Sequence, residues 1–245
     1  MRKMLIGLLL LGAGCVCAAT TPREGLTVSP VQTTLEPGQR ATSVTMVNST
    51  DDNKVIQAEV MRWTHVDGQD HYEPAGELLV NPPLFKLAAG ASQIVRVGFA
   101  QPPAGREREV QYRLYLQEVP SQDQQAPFAG AQLKMLLRLG VPVFVAPAAI
   151  QAESIKWRAI RRGSDIELQL TNASNAHVRA AEVALGPHDG KPEDFVHANS
   201  FAYVFPGETH SWTLQPNWPS AQKQLTVQAR TDRGETRVSI PLEAP

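Results

Sequence analysis

Cysteine is almost missing from this 245-residue chain, and the two present, Cys15 and Cys17, both lie in its first twenty residues. Arg2 and Lys3 precede an apolar run over residues 4–11, which small residues and Cys15-Val16-Cys17-Ala18-Ala19 follow. This is the n-region, h-region and cleavage pattern of a secretory signal peptide, expected over residues 1–19 with cleavage after Ala18 or Ala19. A lipid-anchored form would use Cys15, but Gly12 stands where the lipidation motif wants a leucine-like residue. The secreted chain then has neither thiol nor disulfide, and its stability must come from apolar cores alone.

Other absences narrow the function. The apolar run near the N-terminus falls far short of the roughly 20 residues that span a bilayer, so the protein is not expected to be membrane-embedded. Removing Arg2 and Lys3 from the 23 basic residues leaves 21 against 24 acidic ones. That balance lacks the basic excess of a nucleic-acid binder. No stretch shows helical 3.6-residue periodicity. His65, His71, His177, His188, His197 and His210 are scattered, with no HExxH spacing. A metal site would have to be assembled from distant strands, and exposed loop histidines are the commoner case. There is no GxSxG elbow, no cysteine nucleophile in the secreted chain, and no glycine-rich phosphate loop after a strand. Neither an enzymatic activity nor a cofactor or metal is expected.

What the chain has in abundance is punctuation, with 19 prolines and 17 glycines between short apolar alternations. The alternation predicts strands over residues 26–31, 41–48, 55–63, 93–99, 109–118 and 133–145. Glu36-Pro37-Gly38, Asp67-Gly68, Asn81-Pro82-Pro83 and Ala88-Ala89-Gly90 supply turn chemistry between them. After Pro147-Ala148-Ala149-Ile150 a second set follows over 154–159, 165–172, 179–185, 201–204, 210–214, 225–230 and 236–242. The fold class is therefore all-β, with two sandwiches and a short, stiff joint near 146–152. The domain boundaries fall at 20–146 and 147–245. Asn48-Ser49-Thr50 and Asn172-Ala173-Ser174 match glycosylation sequons but sit where strands end, so a turn-forming role is expected.

The last strand of the first set is exceptional. Leu133, Met135, Leu137, Leu139, Val141, Val143 and Val145 sit two apart without interruption. Strands typically run to about 5–6 residues. Either this strand serves two cores in one molecule, or part of it belongs to a partner. A long apolar edge is an aggregation hazard that proteins normally suppress. Lys134 and Arg138 occupy the opposite phase, as expected for one dry and one wet face. The Gln-, Pro- and Gly-rich segment over 120–130 that leads into it predicts a mobile loop.

Four segments carry a family likeness: LTVSPVQTTLEPG, NPPLFKLAAGASQIVRVGF, EVQYRLYLQEVP and VPVFVAPAAI. With these, in this order, the chain resembles the PapD-like periplasmic pilus chaperones of chaperone–usher systems. The resemblance covers essentially the whole secreted chain. It implies two immunoglobulin-like domains set at an angle around a cleft, and a periplasmic location. It also implies a last strand of domain one that completes the fold of pilus (fimbrial) subunits before delivery to an outer-membrane usher. In that mechanism Leu133, Met135, Leu137 and Leu139 would enter the subunit's groove while backbone groups pair with its edges.

The resemblance further implies an interdomain charge network of Arg96, Glu109 and Asp232, in which Arg96 acts as a hinge lock. Such a network fixes geometry more reliably than it adds stability. The best-known members anchor the subunit's terminal carboxylate with an arginine on the first strand and a lysine late in the donor strand. Here those positions hold Gln32 and Pro142, and RLGVPVF resembles the archaic branch instead. Arg138, with Arg113 as helper, is the replacement anchor expected. Without a subunit, the strand would need cover from the 120–130 loop or from a second copy in a self-capping dimer. A competing function is a two-domain secreted adhesive module that pairs through its strand edge. A sandwich hydrolase or metalloenzyme is a third, which the scattered histidines argue against.

Overall fold

The computed structural model describes residues 25–101, 105–120, 135–152, 154–218 and 222–244. The signal-peptide segment, most of the 120–130 loop and Leu133 lie outside the described residues.

Among the described residues, ten strands precede residue 146: β1 (Leu26–Ser29), β2 (Thr33–Leu35), β3 (Ala41–Asn48), β4 (Lys54–Val66), β5 (Gln69–Pro74), β6 (Leu78–Asn81), β7 (Leu84–Leu87), β8 (Ser92–Phe99), β9 (Val110–Val119) and β10 (Arg138–Val145). One sheet runs β1-β3-β8-β6, and the facing sheet runs β2-β10-β9-β4-β5 with β7 also on β4. Alternation decides what points inward. Val44 and Met46 of β3, Val95 and Val97 of β8, and Tyr112, Leu114 and Leu116 of β9 meet Val141, Val143 and Val145 of β10 in one buried cluster.

Eight more strands follow: β11 (Ile155–Arg162), β12 (Asp165–Asn172), β13 (Val178–Pro187), β14 (Val196–His197), β15 (Ala202–Val204), β16 (Thr209–Leu214), β17 (Gln224–Thr231) and β18 (Gly234–Glu243). They order as β14-β13-β17-β18-β11-β12-β16, with β15 on β13, and a short parallel pairing of β11 with β18 joins the two layers. In DIELQLTN of β12, strict alternation puts Ile166, Leu168 and Leu170 into the second core without exposure. The fold is thus two immunoglobulin-like sandwiches, each with its own apolar core.

Both sandwiches use the same plug. Asn48 ends β3 fully buried, and its amide nitrogen donates to the carbonyls of Asp52, Leu87 and Ala88. Its side-chain oxygen accepts from the Thr50 amide and hydroxyl. Asn172 ends β12 equally buried, donating to the Ala176 and Val204 carbonyls and accepting from the Ser174 amide and hydroxyl. The sequon asparagines are therefore turn-forming, with their amide nitrogens already committed.

Two strand lengths differ from expectation. The 13-residue strand is β4, whereas β10 has eight residues and starts at Arg138. Its neighbour β9 ends at Val119, and Pro120 has no amide to extend the ladder. Before Arg138 the Glu118 amide still donates to the Leu137 carbonyl at 2.8 Å. Strand β5, QDHYEP, has no apolar alternation because its hairpin with β4 runs past the core, and only Tyr72 is half-buried. Replacing Asn172 with alanine leaves the Ala176 and Val204 carbonyls without their partner and should cost on the order of 2–4 kcal/mol in a denaturant titration.

Candidate functional site

The two faces of β10 go to different places. Val141, Val143 and Val145 fill the first core, while Phe144, on the opposite phase, is fully buried between the sandwiches. There it forms a third apolar cluster with Trp63 and Phe205, against which Tyr72 and Tyr203 pack. The Phe144 ring stacks on His177 of the second sandwich at 3.7 Å between centroids. Toward its start the strand runs out of core. Leu139 is only partly buried against the first cluster, Leu137 is 39% exposed and Met135 83%. Leu136 is exposed as well. On its outer edge β10 pairs with β2 only over Val143–Val145, so among the described residues the edge of 138–142 has no strand partner.

Between the sandwiches lies a cleft of about 430 Å³, lined among others by Trp63, Arg113, Tyr203 and Glu208. Arg113 reaches it because Gly140, beside it on β10, has no side chain: a Cβ there would lie 3.2 Å from both the Arg113 stem and the Tyr115 ring. The guanidinium lies over Trp63 at 3.9 Å. Its Nε is buried without a hydrogen-bond partner among the described residues. Gln32, the position of the expected first-strand cation, accepts a hydrogen bond from the Tyr203 hydroxyl across the joint. Burial holds the Tyr203 hydroxyl above the usual tyrosine range, although Arg179 and Arg113 pull the other way.

Arg138 and Arg113 face the same side of the sheet from separate backbone positions. Arg113 is opposite Pro142, and Arg138 is opposite Gln117, four residues along β9. That spacing is about 13 Å. Arg138 is exposed and sits over the Tyr115 ring at 3.8 Å.

The expected charge network is also rearranged. Arg96 points to solvent from the outer face of β8, because Val95 and Val97 claim the inward phase. Glu109 and Asp232 do approach each other, with His177 between them in the place expected of the arginine. Its Nδ1 is 2.8 Å from Glu109 Oε1 and its Nε2 is 3.7 Å from Asp232 Oδ2. The His177 amide donates to Glu109 Oε1, and the Arg179 amide to Asp232 Oδ1. Nearby, Asn175 donates to the Glu107 and Ala149 carbonyls and accepts from the Gln151 amide, tying the linker to both sandwiches.

A second histidine mirrors this. His65 of β4 has Nδ1 2.7 Å from Glu208 of the second sandwich and Nε2 3.2 Å from Asp70 of β5. Its ring lies flat on Phe205 at 4.2 Å. Burial lowers its pKa, but the hydrogen bond and charge of Glu208, and then Asp70, outweigh that and hold it above 6.5. Burial, reinforced by repulsion from His65, pushes His210 below 6.5. His65 and His177 are not the exposed loop histidines expected, since the first lies within β4 and the second is buried. Their spacing gave no sign of the pairing, because the carboxylate partners are up to 143 positions away. Among the described residues, no group of three or more His, Cys, Asp or Glu side chains could hold a metal ion, and no helix is long and apolar enough to cross a membrane.

An immunoglobulin-like pair of sandwiches with an open-edged, apolar strand at their joint defines a class, and comparison with known proteins agrees. Residues 25–151 match the pili and flagellar-assembly chaperone family, PapD N-terminal domain. The chain belongs to that family. It is 26% identical over 208 residues to a probable fimbrial chaperone, EcpB, of Klebsiella pneumoniae, covering 83% of this chain and 88% of the relative. Among solved structures it resembles a chain of the CsuC–CsuE chaperone–tip adhesion subunit pre-assembly complex, from archaic chaperone–usher Csu pili of Acinetobacter baumannii. There the TM-score is 0.62 at 18% identity, covering 90% of this chain and 99% of the other. A chain of the Salmonella enterica SafA pilin–SafB chaperone complex gives 0.62 at 18% identity, covering 91% and 98%.

Because Phe144 holds the joint from the middle of the strand, Phe144→Ala should destabilise the protein by about 3–5 kcal/mol. Chemical denaturation of the wild type and the variant measures this.

Proposed function

We propose that this protein is a non-enzymatic periplasmic chaperone, exported by a cleaved signal peptide over residues 1–19. It binds pilus subunits by donor-strand complementation and delivers them to an outer-membrane usher. The observation that carries this reading is the row of side chains that leaves the first core at the start of β10, from half-buried Leu139 of the strand to exposed Leu137 and Met135 just before it, beside the edge of 138–142 that has no strand partner among the described residues. A subunit with a missing strand supplies what this row lacks: an apolar groove for Leu133, Met135, Leu137 and Leu139, and backbone partners for the edge. Each large side chain so buried is worth roughly 1.5–3 kcal/mol. Association and ordering take back much of the total. No nucleotide is needed, since the subunit's remaining folding energy is released when another donor strand displaces this one. A free chaperone needs the same row covered, by the 120–130 loop or by a second copy.

For the subunit's terminal carboxylate, the geometry favours Arg113 over Arg138. Arg113 lies in the cleft with a buried Nε that has no hydrogen-bond partner among the described residues, whereas Arg138 is exposed and is not part of the cleft lining. Arg96 has no part in this reading, and Glu109, His177 and Asp232 hold the domains.

Co-purification of the secreted chain with its subunit tests the proposal. A one-to-one complex should form with the wild type and be lost in Leu137→Asp, whose fold should survive because the side chain is exposed. Retention of the subunit by that variant would eliminate the donor-strand assignment. Arg113→Met should weaken the complex about 10- to 100-fold, in line with the roughly 1.5–3 kcal/mol of a hydrogen bond to a charged group.

A further inference from the structure

We infer that His65 is a positioning residue that fastens the two sandwiches in its imidazolium form, so that the cleft beside Arg113 is held closed more firmly in acid than in alkali. Both ring nitrogens face carboxylate oxygens, Glu208 of the second sandwich and Asp70 of the first. A neutral imidazole has one donor and one acceptor, so only the imidazolium can donate to both. The partners are themselves held. Asp70 accepts from the Trp63 indole and the Tyr72 hydroxyl, and Glu208 accepts from the Phe205 amide. They cannot turn away cheaply when the proton leaves.

The other charged and titratable groups around the ring fit the same state. His210, which lines the cleft with His65, is pushed toward its neutral form and so does not compete for the charge. Arg113 is on the same lining but rests on Trp63. On the other side of the joint the arrangement recurs in reverse. His177 belongs to the second sandwich, with Asp232 from its own domain and Glu109 from the first. Each domain thus contributes one histidine and receives a carboxylate across the joint.

The pH dependence has a definite sign. The folded His65 pKa lies above the unfolded value of 6.5. Its contribution is complete below pH 6.5 and is lost as pH rises through the folded value. Resting on the chaperone reading, a subunit carboxylate beside Arg113 adds an anion to the same cleft and favours the imidazolium. The coupling is reciprocal, so protonation of His65 favours the bound subunit.

The test uses the full secreted chain without any subunit, so its failure and the failure of the chaperone reading are separate results. Imidazole proton resonances are followed by NMR from pH 5 to 9, with His65→Gln for assignment and Glu208→Gln as the perturbing variant. The His65 midpoint should lie above 6.5 and drop in Glu208→Gln. Denaturant stability of wild type over His65→Gln should show an advantage at pH 6 that disappears in alkali. A midpoint at or below 6.5, a midpoint indifferent to Glu208, or a stability gap constant with pH overturns the inference.

Discussion

Everything in this molecule depends on what β10 is asked to contact. Its inward phase, Val141, Val143 and Val145, completes the first core. Its outward phase places Phe144 against His177 and so holds the second sandwich. The segment just before it, residues 135–137, has apolar side chains and no core to put them in. Because successive strand residues face opposite ways, these demands do not compete for the same side chains. One strand therefore ties domain stability, domain arrangement and the binding edge together.

The joint combines apolar and charged contacts in a way that explains its placement. Trp63, Phe144 and Phe205 exclude water from the middle. The two histidine–carboxylate groups flank them. Burying a charge is costly unless it is paired, and here each histidine is offered carboxylates from both domains. The pairing adds directional restraint where an apolar patch alone would let the sandwiches slide. Arg113 belongs to the same wall, yet among the described residues its cation is met by an indole face and not by a carboxylate.

Much of the fold was legible in the residues. Alternation in stretches such as DIELQLTN, broken by Gly and Pro turns, is enough to name sandwich strands, and the turn role of the sequon asparagines followed from their place at strand ends. The polar β5 was not legible, since its pattern is set by a hairpin that runs past the core. The thirteen-residue alternation before Val145 is real, but a strand also needs a neighbouring backbone to pair with. Strand β9 runs to Val119, but regular pairing with β10 begins at Arg138, and before it the Glu118 amide still meets the Leu137 carbonyl. Arg96 was misplaced because a family likeness gives a position in the chain, while the neighbouring Val95 and Val97 decide which way it faces.

The sequence by itself determined the all-β class, the two-sandwich division and the apolar row that leads into β10. These are local properties, written in spacing and composition. Only the tertiary structure decided that His177 stands between Glu109 and Asp232, that His65 meets Glu208, and that Arg113 enters the cleft while Arg138 remains outside. Those outcomes depend on groups far apart in the chain meeting in a low-dielectric joint, where distances of a few ångströms decide whether two charges interact.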